Sequence, residues 1–260
     1  CRLNFAESPG WLMAHGRRVE AERSVQYFLG RDVVMRGSIE QRDANVERGK
    51  NEWSELLSLK NWRRVIFSGV PWACEGFGVY GVGVFLPILV MAVGLGDSGS
   101  GVAHLASSVE LTGYINLFVA LGFIVGLAVV RRSSHVRQQT MGFVLSAAGL
   151  ALLLMAHILN WDRWLMVAGF VVFELFLNAG PHLVSFLLPS EVYPVADRGA
   201  GAGLAAAMGK AGAVAGVLFV PMLMKWGGVD LALVVTALVQ LLGAGVTAVL
   251  GEKVVKNVAS

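Results

Sequence analysis

Three charged side chains lie deep inside long apolar stretches of this sequence. Lys210, Glu75 and Glu174 each follow an arginine at the start of their stretch by 11 or 12 residues, which is roughly 16–18 Å of helix at about 1.5 Å per residue. That depth is close to the middle of a membrane, where a lysine costs roughly 3 kcal/mol even on a lenient insertion scale. The placement predicts a site at which Lys210 meets a substrate or a coupling ion.

Neutral and pH-sensitive hydrogen-bond donors occupy neighbouring positions. Trp72, Gly76 and Tyr80 follow one another at intervals of four residues, so they share approximately one face of a helix. His182 lies in another apolar stretch, somewhat nearer its end. An oxyanion needs donors, and Lys210 as a charge, Tyr80 and Trp72 as neutral donors and His182 as a donor or a pH-sensitive cation would all suit it.

Each of these residues also has a structural alternative. Lys210 could be neutralised by Glu174 or Glu75 in a buried pair, because a membrane disfavours lone charges. Tyr80 could fill a helix interface, and Glu75 could be a structural hydrogen-bonding partner as readily as a proton site. His182 follows a proline and could bond a backbone carbonyl which that proline leaves free.

The elements that must position these residues are membrane-spanning helices. Of 260 residues, 55% are hydrophobic and 15% are charged, and the mean hydropathy is +0.64. Six apolar stretches are long enough to cross about 30 Å of hydrocarbon. They cover residues 65–91, 108–130, 138–159, 164–188, 199–223 and 229–250. The fold class predicted is an all-α membrane protein with six transmembrane helices.

The positions of the cations predict the orientation. Eight Lys and Arg residues flank the stretches on one face: Arg63, Arg64, Arg131, Arg132, Arg137, Arg198, Lys253 and Lys256. Only Arg163 and Lys225 flank them on the other. By the positive-inside rule the first face is cytoplasmic, so a multi-pass protein of the plasma (inner) membrane with both ends of this segment in the cytoplasm is expected. The pI near 9.0 follows from this topology, and nucleic-acid binding is not expected.

Three regions follow from this pattern. Residues 1–61 are expected to be a cytoplasmic linker with short helices, one beginning near Ser8-Pro9 and one at 52–60, separated by a mobile loop at 31–50. Residues 62–251 form the six-helix transmembrane bundle, and 252–260 form a cytoplasmic tail. The chain starts at Cys1 without a Met or a signal peptide, which predicts a fragment of a longer protein.

Several other classes of function are disfavoured by the sequence. Cys1 and Cys74 have no metal-ligand spacing, so neither a metal site nor a disulfide is expected. Gly209-Lys210 resembles the end of a nucleotide-binding P-loop, but the spacing is wrong and Ala211 replaces Ser or Thr. The motifs of hydrolases and metalloproteases are missing from the sequence. No cofactor and no enzymatic activity are predicted.

Three segments resemble the C-terminal half of major facilitator superfamily transporters of the sugar-porter and phosphate:proton symporter type. ESPGWLMAHGR at 7–17 resembles their PESPRWL motif, WACEGFGVYGVGVFLP at 72–87 resembles their seventh span, and 178–210 is similar in pattern and length to the region joining their tenth and eleventh spans. The resemblance implies half of a twelve-helix fold, with substrate bound near the midplane between two six-helix halves and released by alternating access. An N-terminal six-helix half would then be missing from this chain.

The resemblance also implies site residues. In phosphate symporters this half contributes a Trp, an Asp, a Tyr, an Asn and a Lys, which correspond here to Trp72, Gly76, Tyr80, His182 and Lys210. The Asp and Asn are therefore replaced, and Glu75 stands one residue before the Asp position. The substrate-binding residues predicted are Trp72, Glu75, Tyr80, His182 and Lys210.

Two further residues are predicted to control conformation. In the family, a Glu and an Arg in the hinge between the tenth and eleventh spans belong to a cytoplasmic charge network. Glu191 and Arg198 correspond to them, whereas Ala196 stands where the family has another Arg. Glu191 and Arg198 are therefore assigned to gating rather than to binding.

The function predicted is secondary active transport of a small solute by alternating access. Phosphate or a similar oxyanion, coupled to protons, is favoured. The alternatives are a porter of a sugar or another organic metabolite, and a transport-dead membrane sensor or degenerate fragment, since Gly76 removes one plausible proton carrier.

Overall fold

The computed structural model describes residues 7–14, 16–30, 61–95, 101–194 and 197–259. Helices and the turns between them make up these ranges, and no strand occurs within them. The α-helices are α1 (Pro9–Ala14), α2 (Arg18–Leu29), α3 (Trp62–Gly78), α4 (Leu86–Ala92), α5 (Gly101–Val130), α6 (His135–Ile158), α7 (Arg163–Leu177), α8 (Leu183–Val192) and α9 (Arg198–Ala259). Two π-helical turns, π1 (Val79–Gly83) and π2 (Asn178–His182), follow α3 and α7.

Several of these helices are long and apolar enough to cross a membrane. Four segments qualify by length and composition: Gly101–Val130, His135–Ile158, Arg163–Val192 and Arg198–Gly251. A fifth is obtained if α3 with π1 and α4, which are bent by 61° at the residues between them, count as one span. The prediction of an all-α, multi-pass membrane protein is thereby confirmed, with four to five candidate spans among the described residues.

The longest helix, α9, is interrupted at two glycines. Gly227 has φ −140° and ψ 21°, and Gly228 has φ 72° and ψ −172°, both outside the helical region. A positive φ is accessible to glycine because it has no Cβ. The break falls between the apolar stretches predicted at 199–223 and 229–250.

The two short N-terminal helices pack on each other. α1 begins at Pro9, and the Leu12 amide donates a hydrogen bond to the Ser8 carbonyl at 3.0 Å. The Ser24 hydroxyl of α2 donates to the Glu7 carbonyl at 2.5 Å, and α2 ends at Gly30 in the left-handed conformation. The helix predicted at 52–60 and the loop predicted at 31–50 lie outside the described residues.

Glycines bring α3 and α9 into backbone contact. A Cβ built on Gly212 would lie 2.0 Å from the Ala73 carbonyl oxygen, and one on Gly216 would lie 2.5 Å from the Phe77 carbonyl oxygen. In lipid, helices associate through close packing of small residues because the surrounding tails are as apolar as the side chains. This contact fixes the position of α3 relative to the first half of α9.

Replacing Gly212 with alanine is expected to destabilise the bundle. The new methyl group would meet backbone rather than a flexible side chain, so the helices must separate at a cost of about 1–3 kcal/mol. Gly245→Ala is the matched control in the same helix, since nothing lies within 4 Å of its Cβ position, and it is expected to leave stability unchanged or raise it by about 0.5–1 kcal/mol. Thermal unfolding of the two variants in detergent compares them, and equal midpoints would contradict this account of the interface.

Candidate functional site

The two π-helical turns carry two of the predicted site residues. Tyr80 lies in π1 and His182 in π2. A π-turn adds a residue to the helical repeat, which changes the direction of the following side chains and is frequent at functional sites. Both turns border one cavity, so the irregular backbone and the candidate site coincide.

Lys210 projects from α9 towards Tyr80. Its ammonium Nζ donates to the Tyr80 hydroxyl at 3.3 Å and lies 5.1 Å from the centre of the Tyr80 ring, a distance typical of a cation–π contact. No carboxylate within the described ranges forms an ion pair with Lys210. The neutralising pair with Glu174 or Glu75 is therefore not found there, and the exposed ammonium is accessible to an anion.

Glu75 is bonded to His182. The Glu75 Oε1 and the His182 Nδ1 lie in hydrogen-bonding contact, and Glu75 is buried, with 2% of its surface exposed. The side chain of His182 is 24% exposed, so the pair has one buried member and one accessible member. The imidazole thus bonds a carboxylate rather than a backbone carbonyl.

Aromatic rings surround this pair. The His182 ring makes edge-on contacts with Phe123 and Phe186, at centroid distances of 5.2 Å and 5.9 Å. Phe186 in turn contacts Trp72 at 5.0 Å. The Trp72 ring packs on Gly209, where a Cβ would lie 2.7 Å from it. Trp72 is therefore linked to the Glu75–His182 pair through Phe186, and it contacts α9, the helix of Lys210, at Gly209.

Gly76 has no room for a side chain. A Cβ at this position would lie 2.4 Å from the Gly209 carbonyl oxygen and 3.1 Å from the Ala213 amide nitrogen. The aspartate that the resemblance places here cannot be accommodated without moving α9. The carboxyl group one residue earlier, on Glu75, is bonded instead to His182 in π2.

Glu174 borders a cavity of about 390 Å³ between α5, α7 and the two π-turns. The polar residues of its lining are Tyr80, Asn116, Glu174, Asn178 and His182. Tyr80 also borders a second cavity, of about 340 Å³, which contains Lys210. Sequence reasoning placed Glu174 at the depth of Lys210 but left it out of the site, and it missed Asn116 and Asn178, which carry no charge to mark them.

The two predicted gating residues have different surroundings. Glu191 is bonded to His135, with Nδ1 and Oε1 2.6 Å apart, which joins the hinge to the start of α6. Arg198 is the exposed first residue of α9 and forms no ion pair with any residue in the described ranges. A paired glutamate and an accessible arginine thus flank the hinge.

The hinge also contains a buried tyrosine. Tyr193 is 2% exposed, its hydroxyl lies 3.0 Å from the Ser68 hydroxyl of α3, and its ring covers Gly201, where a Cβ would lie 2.5 Å away. Burial raises the pKa of Tyr193, and the hydrogen bond with Ser68 partly offsets that rise. Tyr193 therefore connects α3 with the start of α9.

Comparison with known proteins assigns the chain to a class. The model of the family described as "Sugar (and other) transporter" matches residues 1–252. The chain therefore belongs to this family, within the major facilitator superfamily, and the resemblance inferred from its motifs is confirmed.

Three individual relatives are each less than 30% identical to this chain. The chain is 29% identical over 246 residues to the inner membrane metabolite transport protein YgcS of Escherichia coli, covering 95% of this chain and 51% of that protein. It is 26% identical over 174 residues to the inorganic phosphate transporter PT2 of Toxoplasma gondii, covering 66% and 30%. It is 25% identical over 231 residues to a repressible high-affinity phosphate permease of Neurospora crassa, covering 82% and 40%. The chain spans about half the length of YgcS, and less of the other two.

A side chain at position 76 is expected to separate α3 from α9. Gly76→Asn introduces the shape of aspartate without its charge, and it is expected to cost about 1–3 kcal/mol through overpacking. Gly83→Asn on the same span is the control, because its Cβ position faces the cavity, where the first atom is 3.8 Å away. Thermal unfolding compares them, and a Gly76→Asn variant as stable as Gly83→Asn would contradict the proposed steric exclusion.

Glu75 and His182 are expected to be energetically coupled. Glu75→Gln or His182→Asn alone removes one member of the hydrogen bond and leaves the other in place, whereas the double variant removes both members. A double-mutant cycle on unfolding free energies should therefore give a coupling of about 0.5–3 kcal/mol. Additive effects would mean that the contact contributes no interaction energy.

Proposed function

We propose that this chain is the C-terminal six-helix half of a twelve-helix secondary active transporter that moves phosphate or a similar oxyanion with protons. The break at Gly227 and Gly228 supports six spans, because residues 198–251 as one straight helix would extend roughly 80 Å, far more than the hydrocarbon thickness of about 30 Å. Counting α9 as two spans and the bent α3–α4 segment as one gives six. Both ends of the segment then lie on one side, which the flanking cations favour as the cytoplasmic side.

The observation that carries the oxyanion proposal is the environment of Lys210. Its ammonium contacts a hydroxyl and an aromatic ring, and among the described residues it has no carboxylate partner. A cation left unpaired within a span is expensive, and a bound anion would supply the missing charge. Tyr80 would donate beside it, and Trp72 lies on the same helix face.

Proton coupling is assigned to the Glu75–His182 pair. Moving a proton onto or off this pair changes its charge within the membrane, where every charge is costly. The imidazole, being partly exposed, is the member that substrate or water reaches. The resemblance implies an aspartate and an asparagine in this region. Here the acidic residue is Glu75, one position before that of the aspartate, and the titratable His182 replaces the asparagine.

The other wall of the site is assigned to an N-terminal half. Lys210 and Tyr80 lie on a surface of α9 and π1 that is open in this chain, and the chain corresponds to about half of YgcS. In the proposed mechanism the two halves rock about a substrate held between them. Glu191 and Arg198, at the hinge, would control to which side of the membrane the site opens. In this structure Glu191 is bonded to His135. Alone, these 260 residues are not expected to transport.

An organic metabolite is the second candidate substrate. The carboxyl of Glu174 and the amides of Asn116 and Asn178 border one cavity, and such groups bond hydroxyls well. A relative described as an inner membrane metabolite transport protein also supports this candidate. A transport-dead sensor would retain the fold and bind a solute without accumulating it.

Uptake of labelled phosphate into vesicles that contain the full-length transporter tests the proposal. A pH gradient that is acidic on the side from which phosphate is taken up should drive the accumulation of phosphate inside the vesicles. Lys210→Ala should weaken phosphate binding about 10- to 100-fold, because a hydrogen bond to a charged group contributes about 1.5–3 kcal/mol. Lys225→Ala is the matched control, since this exposed cation of α9 lies outside the site.

Three outcomes discriminate among the candidates. Loss of uptake in Lys210→Ala with normal uptake in Lys225→Ala supports the oxyanion site. Absence of phosphate uptake by a folded wild-type protein would favour an organic substrate or a sensor. Saturable uptake by the isolated 260 residues would overturn the proposal that a second half completes the site.

A further inference from the structure

A second carboxyl group in the bundle has an unpartnered oxygen. Glu174 is 4% exposed, and its Oε1 has no hydrogen-bond partner within the described structure. Its Oε2 accepts one hydrogen bond, from the Asn178 Nδ2 at 3.3 Å. The same amide nitrogen donates to the Glu174 backbone carbonyl at 2.7 Å, so it is shared between two acceptors.

The unpartnered oxygen faces the larger cavity. Glu174 contributes to the lining of the space of about 390 Å³, together with the two π-turns. A Cβ built on Gly83, across this space, would have the Glu174 Oε1 as its first neighbour, at 3.8 Å. The Gly83 position therefore places no side chain between this oxygen and the rest of the cavity lining, and the oxygen itself is buried.

The groups that face Glu174 do not neutralise it. From π1 this is Tyr80, and from π2 it is His182, which is already bonded to Glu75 of α3. The cavity residues of α5 are uncharged, namely Asn116, Val119 and Phe123. The buried side chains of α6 are either apolar, such as Leu150, or polar without a charge, such as Ser146. Lys210 borders the second cavity, to whose lining Tyr80 also contributes.

A carboxylate in this environment is unfavourable. Burial in a medium of low dielectric disfavours the charged form of an acid, and no residue in the described ranges forms an ion pair with Glu174 that would offset this cost. One shared amide donor is a weak substitute, since a stable buried carboxylate accepts two or three hydrogen bonds. The neutral acid, –COOH, removes the charge and gives Oε1 a proton to donate into the cavity.

We propose that Glu174 is a proton-binding site of the transporter, separate from the Glu75–His182 pair. Without solute in the cavity it is a neutral carboxylic acid, and when solute fills the cavity it releases the proton and becomes a carboxylate. Its part in transport rests on the proposed function, whereas its protonation is a property of the folded chain. The ligand is a proton, and Asn178 is the positioning residue that orients the carboxyl group through Oε2.

Infrared difference spectroscopy on the purified full-length protein, titrated with acid and base in the absence of any solute, tests the protonation. The carbonyl stretch of a protonated carboxyl group should be present near neutral pH, decrease at alkaline pH and be lost in Glu174→Gln. Glu174→Asp should shift the band without abolishing it, and it provides the readout should Glu174→Gln fail to fold. Glu75→Gln is the matched control and should retain the band.

The outcomes separate this proposal from the proposed function. A band that persists in Glu174→Gln, or that disappears in Glu75→Gln instead, would overturn the assignment to Glu174. A wild-type protein without the band at neutral pH would overturn it as well. A band lost in Glu174→Gln from a protein that takes up no phosphate would support the proton site while the oxyanion proposal fails.

Transport measurements test the functional role. Glu174→Gln should lose accumulation driven by a pH gradient and retain exchange of labelled for unlabelled phosphate, because exchange needs no net proton movement. Accumulation equal to that of the unmodified protein would overturn the role in coupling.

Discussion

The backbone contact between α3 and the first part of α9 is the constraint on which the rest of the site depends. Helices in lipid gain little from burying apolar surface against each other, so the absence of side chains lets their backbones approach. Gly212 and Gly216 each stand against a carbonyl of α3. This approach puts Lys210 within reach of Tyr80 and presses Trp72 onto Gly209. It also leaves no room for a side chain at Gly76. The acidic residue of this span is instead Glu75, one position earlier.

Polar side chains compensate for the irregular backbone that the site requires. Inside a membrane each free carbonyl must find a donor within the protein. Where π2 interrupts the helix, the Gln138 amide donates to the Ala179 carbonyl at 2.8 Å and to the Gly126 carbonyl at 3.0 Å. Asn178 does the same for the Glu174 carbonyl. These amides make the π-turn tolerable, and the turn in turn directs His182 towards Glu75.

The sequence predicted the apolar helices better than the contacts between their side chains. Apolar length located the helices, and the Gly227–Gly228 break falls where two stretches were separated, because hydropathy and glycine act locally. The Lys210–Tyr80 contact and the Glu75–His182 bond join residues 130 and 107 positions apart, so helix packing decides them. The lack of a hydrogen-bond partner for the Glu174 Oε1 depends on the shape of its surroundings, and shape has no signature in a single sequence.

The arrangement of charges argues that these residues serve more than stability. Lys210 and Glu174 border two different cavities, and the Tyr80 side chain contributes to the lining of both. A direct ion pair between them would have offset the cost of both charges, and the described structure contains no such pair. The ammonium is instead exposed, and the carboxyl group is buried beside a cavity. For the proposed function, this separation of a cation from an acid would let an anion and a proton bind at separate sites.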